Sequence, residues 1–306
     1  MTAEGEPGGN TLEVVTRRWE FLDLLAEDAC RTSEIAERLG CSRSTARRAV
    51  DDLVGAGLVR RRDGAYEATE AGALVADCYR ACLDAVDDVA AAGPVLSALP
   101  SGAIGKAAVV GADIHQANDS LPYGPLREVQ SLLEGADRVR ATLPVLPTPR
   151  LMNWCRDCAE AGAAVELVVA EELYEALDAE SQADPTPGAD AVEVLTGAVP
   201  PFGLFLVETD DGGATVATVV CAENGGVAGV LVNDDPAAVQ WATERYAMAN
   251  SAARLCGMVW VSPRARLTPC MRSAPPSIDH ASIVSMSRSA SSHVVRTLPR
   301  AKDSAA

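Results

Sequence analysis

The sequence predicts an α+β chain: a helical unit with a small hairpin, then a mixed α/β unit, then a tail. Its 306 residues exceed one average domain, which favours two globular units. Apolar residues recur at helical spacing over residues 11–90, whereas helical and strand patterns alternate over residues 105–248. Residues 249–306 show no convincing periodicity. We therefore predict three segments with these boundaries.

Three helices are predicted near the start of the chain. In residues 11–27, apolar side chains recur every three or four residues, as in an amphipathic helix. Thr32 can cap a second helix, which Gly40 ends. Ser42 can cap a third helix that runs to residue 54. The side chains expected to face inward are Val15, Trp19, Leu22, Leu25, Ile35, Ala36, Leu39, Ala46, Val50, Leu53 and Val54.

A hairpin and a fourth helix are predicted next. Asp63-Gly64 lies between two short runs and is a strong signal for a tight turn, so residues 59–68 are predicted to form a hairpin. A threonine cap and many alanines predict a long helix over residues 69–90, which we also consider a candidate dimer contact. Proline and glycine over residues 93–105 predict a linker. This order of elements is that of a winged helix-turn-helix domain.

The second unit, residues 105–248, is predicted to be a mixed α/β domain for sensing or dimerisation. Helices and strands alternate at first, and consecutive strands follow. The predicted helices are 124–134, 149–161, 171–179 and 235–249, and the predicted strands are 139–143, 165–170, 192–195, 203–207, 215–221 and 228–232.

The charge of the chain is strongly acidic, with 43 acidic against 26 basic residues. Only Lys106 and Lys302 are lysines. Many acids, few lysines and small apolar side chains favour a protein from a very saline cytoplasm, and an acidic protein from a GC-rich genome is the alternative. The sequence shows neither a run of about 18 uncharged apolar residues nor a signal-peptide pattern. We therefore predict a cytoplasmic protein that does not contact membranes.

The tail, residues 249–306, differs in composition from the rest, with eight basic and two acidic residues and eleven serines. We interpret it as disordered. A basic arm that binds nucleic acid and an out-of-frame translation are the alternatives.

A cluster of arginines on the third helix and the hairpin predicts contact with double-stranded DNA. In a helix-turn-helix, the exposed amino-terminal half of the second helix of the motif reaches base edges in the major groove. Arginine can donate two hydrogen bonds to guanine, while serine and threonine reach phosphates or bases. A solvated charged face is the alternative. The residues predicted to contact DNA are Thr32, Ser42, Arg43, Ser44, Thr45, Arg47, Arg48, Arg60, Arg61 and Arg62.

Other chemistry is weakly indicated. Cys155 and Cys158 in "WCRDC" resemble a redox or metal motif, but they fall inside a predicted helix, so we interpret them as buried core residues. His115 is the only histidine before the tail, which disfavours a catalytic triad or a multi-histidine metal site. We predict no enzyme activity, no metal and no cofactor. Residues 199–203 beside Tyr123 and Trp154 can line a ligand pocket or simply form a turn.

The stretch "LLAEDACRTSEIAERLGCSRSTARRAVDDLVGAGLVRRRDGAYEATEAGALV" resembles the winged-helix domain of archaeal transcription regulators. The stretches "YGPLREVQSLLEGADRVRATLPVL", "VPPFGLFLVE" and "NDDPAAVQWATERYA" resemble the methanogenesis-regulator (filament regulator) middle domain of haloarchaeal regulators. The resemblance covers residues 12–248 and implies a homodimeric transcription factor with an effector or signal domain. It assigns the recognition helix to residues 42–54 and the wing to residues 59–68.

The function predicted from the sequence is therefore sequence-specific DNA binding by a homodimeric transcriptional regulator, with a small-molecule effector as a further possible partner. The alternative is a ligand- or thiol-responsive binding protein whose winged helix contacts other proteins. Replacing Arg43, Arg47 and Arg48 by alanine distinguishes the two by its effect on DNA affinity.

Overall fold

The amino-terminal lobe of the computed structural model is a winged helix; the structure describes residues 7–118, 120–183, 192–222 and 225–253. The tail and its interpretation lie outside these residues, apart from residues 249–253, which end the last helix. The predicted fold class, a winged helix followed by a mixed α/β domain, is confirmed. The elements of this lobe are α1 (Pro7–Glu27), α2 (Thr32–Arg38), α3 (Arg43–Gly55), β1 (Val59–Arg62), β2 (Ala65–Ala68) and α4 (Glu70–Leu96).

The core of the winged helix forms because the apolar stripes of its helices meet. Val15 and Leu22 of α1 pack against Ile35 of α2 and Leu53 of α3, and all four side chains are at most 1% exposed. Trp19 is half-buried at the edge of this cluster. The helical spacing of the sequence thus predicts most of the core.

The hairpin closes through Asp63 and Gly64, which both have positive φ, 51° and 85°. Two successive residues of this kind form the tight turn that matches the twist of paired strands. The other edge of β2 forms backbone hydrogen bonds between Tyr66 and Cys30, at 2.9 and 2.8 Å. The predicted hairpin is therefore confirmed, and the bridge to Cys30 holds it against the segment before α2.

Helix α4 continues six residues beyond its predicted end at residue 90 and includes Pro94. Its amino-terminal turn is capped by Thr69, whose hydroxyl accepts a hydrogen bond from the Gly72 amide at 3.0 Å. Its last turns bury Ala92 and Val95 against the sheet of the second lobe. Apolar burial therefore outweighs the loss of one backbone hydrogen bond at Pro94, and the predicted linker begins only after residue 96.

The second lobe is built on a seven-stranded mixed sheet with helices on both faces. In the sheet, neighbouring strands follow the order β3-β9-β8-β7-β4-β5-β6. The pairs β4–β5 and β5–β6 are parallel, and the other pairs are antiparallel. Its elements are β3 (Asp113–Gln116), α5 (Leu126–Leu133), β4 (Arg138–Leu143), α6 (Pro149–Glu160), β5 (Ala164–Val169), α7 (Glu171–Ala183), β6 (Val192–Thr196), β7 (Gly203–Glu208), β8 (Ala214–Cys221), β9 (Val227–Asn233) and α8 (Pro236–Ala252).

The two faces of the sheet bury alternate residues of each strand. On β7, Phe205 and Val207 pack with α5 and α6, whereas Leu204 and Leu206 face α8. The end of α4 packs on the same face as α8. The sequence predicts six of these strands to within two residues. It does not predict β3, a four-residue edge strand with the polar sequence DIHQ, because its pairing with β9 is not encoded in its own pattern.

Candidate nucleic-acid interface

The amino-terminal half of α3 presents its polar side chains to solvent. Ser42 caps the helix, since its hydroxyl accepts a hydrogen bond from the Thr45 amide at 3.1 Å. Arg43, Ser44, Thr45, Arg47 and Arg48 are all exposed, while the opposite face packs into the core. This arrangement separates a buried apolar face from an exposed basic one, as the sequence predicts.

The carboxyl-terminal end of α3 differs from the prediction at one residue. Ala46, Ala49, Val50 and Leu53 are at most 1% exposed, but Val54 is 42% exposed. The assignment of Val54 to the inward face is therefore wrong. The helix ends at Gly55, and the chain then turns toward β1, so the core is already complete at Leu53.

The start of α2 also differs from the prediction. Thr32 is the first helical residue rather than the cap, and Arg31 occupies the cap position. The carboxylate of Glu34 accepts a hydrogen bond from the Arg31 amide at 2.6 Å, which fixes the entry into the helix. Thr32 stays half-buried beside this turn, at the amino end of the helix that precedes α3.

The three arginines of β1 lie on both sides of the hairpin. Arg60 forms a 2.8 Å ion pair with Glu67, and Arg62 lies 3.7 Å from the same carboxylate. The hydrogen bond from Arg60 holds the pKa of Glu67 below its usual range. Arg61 points to the opposite side, where its guanidinium lies 5.8 Å from the ring centre of Tyr66. The wing therefore presents Arg61 separately from the other two.

The acidic residues near α3 are largely engaged by arginines. Asp52 forms a 2.9 Å ion pair with Arg18 of α1, and Asp51 lies 3.6 Å from Arg47. In contrast, Arg43 and Arg48 have no ion pair with any described residue. The exposed positive charge on this helix thus concentrates at two positions, although the whole chain is acidic.

The cysteines of "WCRDC" lie on the buried side of α6. Cys155 is fully buried and Cys158 is 5% exposed. Burial raises the pKa of the Cys155 thiol to about 12, which disfavours the thiolate that redox chemistry and metal binding require. Across the described residues, no group of three or more histidine, cysteine or acidic side chains is placed to hold a metal ion. The burial of both side chains in the core agrees with their interpretation as core residues.

The residues of the expected ligand pocket line two different cavities. Tyr123 and Trp154 line a cavity of 480 Å³ between α5 and α6. Val199 and Pro200 line another of 700 Å³, beside the amino end of α7. Phe202 is fully buried under α8. The expectation that residues 199–203 lie beside Tyr123 and Trp154 is not met.

None of the helices in the described part of the chain combines the length and the apolar composition that a membrane-spanning helix needs.

Comparison with solved structures finds partial likenesses at low sequence identity. TrmBL2, described as an archaeal chromatin protein with a novel mode of DNA binding, is 10% identical and has a TM-score of 0.36, over 74% of this chain and 88% of that chain. Nuc, a phospholipase D family member from Salmonella typhimurium, is 14% identical with a TM-score of 0.34, over 47% of this chain and 95% of that chain. At such low TM-scores, neither likeness carries an argument about function.

Comparison with domain families is more specific. Residues 10–91 match the HVO_A0261 N-terminal domain, and residues 122–251 match the middle domain of the methanogenesis regulatory protein FilR1. A search among curated proteins finds no match. The chain therefore contains an HVO_A0261-type amino-terminal domain followed by a middle domain of the FilR1 type, the second being the domain that its sequence resembles.

Proposed function

We propose that the chain is a sequence-specific DNA-binding transcriptional regulator whose helix α3 enters the major groove. One observation carries this proposal: α3 exposes a set of polar and basic side chains, while its other face is buried. The exposed side chains are Arg43, Ser44, Thr45, Arg47 and Arg48. Two of its arginines have no ion pair within the described residues, so their hydrogen-bond donors remain available for bases and phosphates. We propose a regulatory role without enzyme activity, which the match to the FilR1 middle domain supports.

The wing adds a smaller contribution. Arg60 and Arg62 share the carboxylate of Glu67, so their contact with phosphates requires that ion pair to loosen. Arg61 lies free of carboxylates in the described residues and is the arginine of β1 best placed to meet the DNA backbone. The remaining members of the proposed contact set lie near the amino ends of α2 and α3: Thr32, Ser42, Ser44 and Thr45.

We also propose that this protein works in a strongly saline cytoplasm. At molar salt the Debye length is about 3 Å, so long-range attraction between the chain and DNA contributes little. Short-range hydrogen bonds from Arg43, Arg47 and Arg48 then provide most of the recognition. The excess of acidic residues elsewhere in the chain is compatible with this mode of binding.

The test begins with selection of bound genomic fragments at several salt concentrations, which supplies the target sequence. We expect that Arg43→Ala with Arg48→Ala lowers affinity for that sequence about 100-fold, because each bidentate contact contributes about 1–3 kcal/mol. Fluorescence anisotropy at matched salt measures the effect.

The matched control is Arg17→Ala with Arg156→Ala, which removes the same charge outside the interface. Arg17 pairs with Glu13 on α1, and Arg156 bonds to Asn153 on α6. Equal affinity loss in both double variants would show that only net charge matters. Unchanged affinity in the α3 variant would reject the recognition assignment and favour a winged helix that contacts other proteins.

We further propose that the chain forms a homodimer through one face of α4. Leu74, Val86 and Val89 are 58%, 60% and 42% exposed, and Cys78 and Cys82 are exposed between them. At about 100° per residue, these five side chains lie within about 120° of one another. The charged residues of the exposed part of α4 lie outside this face: Asp77, Arg80, Asp84, Asp87 and Asp88.

A second copy of the chain is the partner that fits this face. A two-fold axis brings the same apolar face from both copies together, and small side chains such as cysteine allow close approach of two helices. The same symmetry presents two recognition helices to half-sites about one helical turn of DNA apart. The face extends over about 22 Å, four turns of helix.

Static light scattering over a range of protein concentrations tests the dimer. We expect that Val86→Asp shifts the chain to a monomer, because it places two carboxylates in an apolar contact. Ala91→Asp is the matched control, since Ala91 is exposed on the charged side of α4. If both variants keep the mass of the unmodified chain, α4 does not form the interface.

A further inference from the structure

The cavity between α5 and α6 has an unusual lining for so acidic a chain. Its walls include Arg127 and Gln130 of α5, Arg150 and Trp154 of α6, and Leu121 and Tyr123 from the segment before α5. Among the described residues, no carboxylate lines it. Two other cavities of the same lobe each have two: Glu171 and Glu172 in one, and Glu134 and Asp157 in the other.

The two arginines are not committed to other contacts. Neither Arg127 nor Arg150 forms an ion pair or side-chain hydrogen bond with any residue that the structure describes. By contrast, Arg138 and Arg140 of the same lobe each lie within 3 Å of a glutamate. Two free guanidinium groups on one cavity create a local positive field, which an anion can neutralise with charge-assisted hydrogen bonds.

Two aromatic side chains and a leucine also line the cavity. Tyr123 is 48% exposed and Leu121 is 52% exposed, so both hold apolar surface against solvent at the rim. Trp154 is half-buried and also lines the smaller cavity of 240 Å³ next to it. Large exposed apolar side chains around a concave site are typical of surfaces that bind a ligand.

We propose that this cavity binds a small organic anion: a carboxylate or phosphate group joined to a flat apolar body. Arg127 and Arg150 would hold the anionic group, and Tyr123 and Trp154 would contact the body. The volume of 480 Å³ lies in the range of small-molecule sites. Glu134 and Asp157 in the adjoining cavity disfavour a second anionic group at the far end of the ligand.

The use of this site as an effector site rests on the proposed DNA-binding function, whereas ligand binding itself does not. The test therefore measures binding to the full chain without DNA, so that its failure leaves the DNA assignment untouched.

Isothermal titration calorimetry with phenyl phosphate, benzoate, inorganic phosphate and benzyl alcohol tests the proposal. We expect binding of phenyl phosphate or benzoate, or both, and the stronger of the two identifies the anionic group. Inorganic phosphate lacks the apolar body and benzyl alcohol lacks the charge, so each should bind at least 10-fold more weakly. Arg127→Ala and Arg150→Ala should each weaken the stronger aromatic anion at least 10-fold, and Tyr123→Ala by a smaller factor.

Arg156→Ala is the matched control, because it removes the same charge from α6 at a residue that does not line the cavity. Thermal melting of each variant verifies that it is folded. The proposal is wrong if benzyl alcohol binds as tightly as the aromatic anions, if Arg156→Ala weakens binding as much as Arg127→Ala, or if neither aromatic anion binds at millimolar concentration.

Discussion

Two pairs of arginines, one on α3 of the winged helix and one on β4 of the sheet lobe, have different surroundings. On α3 of the winged helix, Arg43 and Arg48 extend into solvent with no ion pair among the described residues. On β4 of the sheet lobe, Arg138 and Arg140 lie across the sheet from Glu166 and Glu208, at 2.6 and 2.9 Å. The first pair is available to a partner molecule, whereas the second pair joins neighbouring strands.

Helix α4 contacts both lobes, and the closest contacts at its two ends differ. In the winged helix, Gly72 lies so close to the residue before β1 that an added Cβ would overlap the Leu58 carbonyl oxygen. In the sheet lobe, Val95 of α4 approaches Gly229 of β9, where an added Cβ would be 2.6 Å from a valine methyl group. The overlap at Gly72 is the closer one and involves only backbone atoms of Leu58. At Gly229 the added Cβ would also lie 2.8 Å from the carbonyl oxygen of His115.

The position of α4 in the winged helix therefore depends on the close backbone contact at Gly72, together with the ion pair between Arg80 and Asp23 of α1. In the sheet lobe, paired charges join neighbouring strands. Arg43 and Arg48 of α3 have no ion pair among the described residues and so add no such stabilisation. Two substitutions test this comparison, one in each lobe.

The largest effect is expected for Gly72→Ala. Because the added methyl group meets the backbone of Leu58, α4 must move away from β1, and we expect the free energy of unfolding to fall by about 3 kcal/mol. Chemical denaturation followed by circular dichroism, at fixed salt, measures the loss. DNA affinity should fall as well, because the wing follows directly on this contact.

Gly93→Ala is the control on the same helix, since nothing lies within 4 Å of its added Cβ. It should leave stability unchanged or raise it by up to about 1 kcal/mol, through the better helix propensity of alanine. An equal loss in both variants would mean that the close contact at Leu58 does not fix the helix.

A smaller effect is expected for Glu166→Gln in the sheet lobe. Burial would raise the pKa of Glu166, but hydrogen bonds from Arg138 and Tyr246 outweigh it and lower the pKa below its ordinary 4.5. We expect the variant to lose about 1–2 kcal/mol of unfolding free energy near neutral pH. Chemical denaturation from neutral to acidic pH measures the difference from the unmodified chain.

The pH dependence follows from the direction of this pKa. The stabilisation by Glu166 is fully present above pH 4.5, its ordinary value, and is lost as the pH falls through the lower pKa of the folded state. The difference between the variant and the unmodified chain should therefore shrink at acidic pH. Glu160→Gln, at an exposed residue of α6, is the control, and DNA affinity near neutral pH should not change in either variant.

Much of the fold could be predicted because its signals are local. The caps at Ser42 and Thr69 and the turn at Asp63-Gly64 act within a few residues of themselves. The exposed face of α3 follows from the same helical spacing that predicts its core face. The contact set at the proposed DNA interface was therefore accessible from the sequence.

Other features depend on partners that are distant in the sequence. Pro94 remains helical because Val95 packs on the sheet, and the β3 strand exists because β9 pairs with it. Neither outcome can be predicted from the hydrophobic periodicity of the segment itself.

The order of the elements other than β3, the winged helix and the basic face of α3 were determined by sequence patterns, because helical spacing, capping and turn residues act over short distances. The packed structure was needed to establish which arginines are paired and which are free. It was also needed to show that Tyr123 and Trp154 meet Arg127 and Arg150 rather than residues 199–203. An ion pair or a cavity depends on the arrangement of separate elements in space, which a local pattern does not specify.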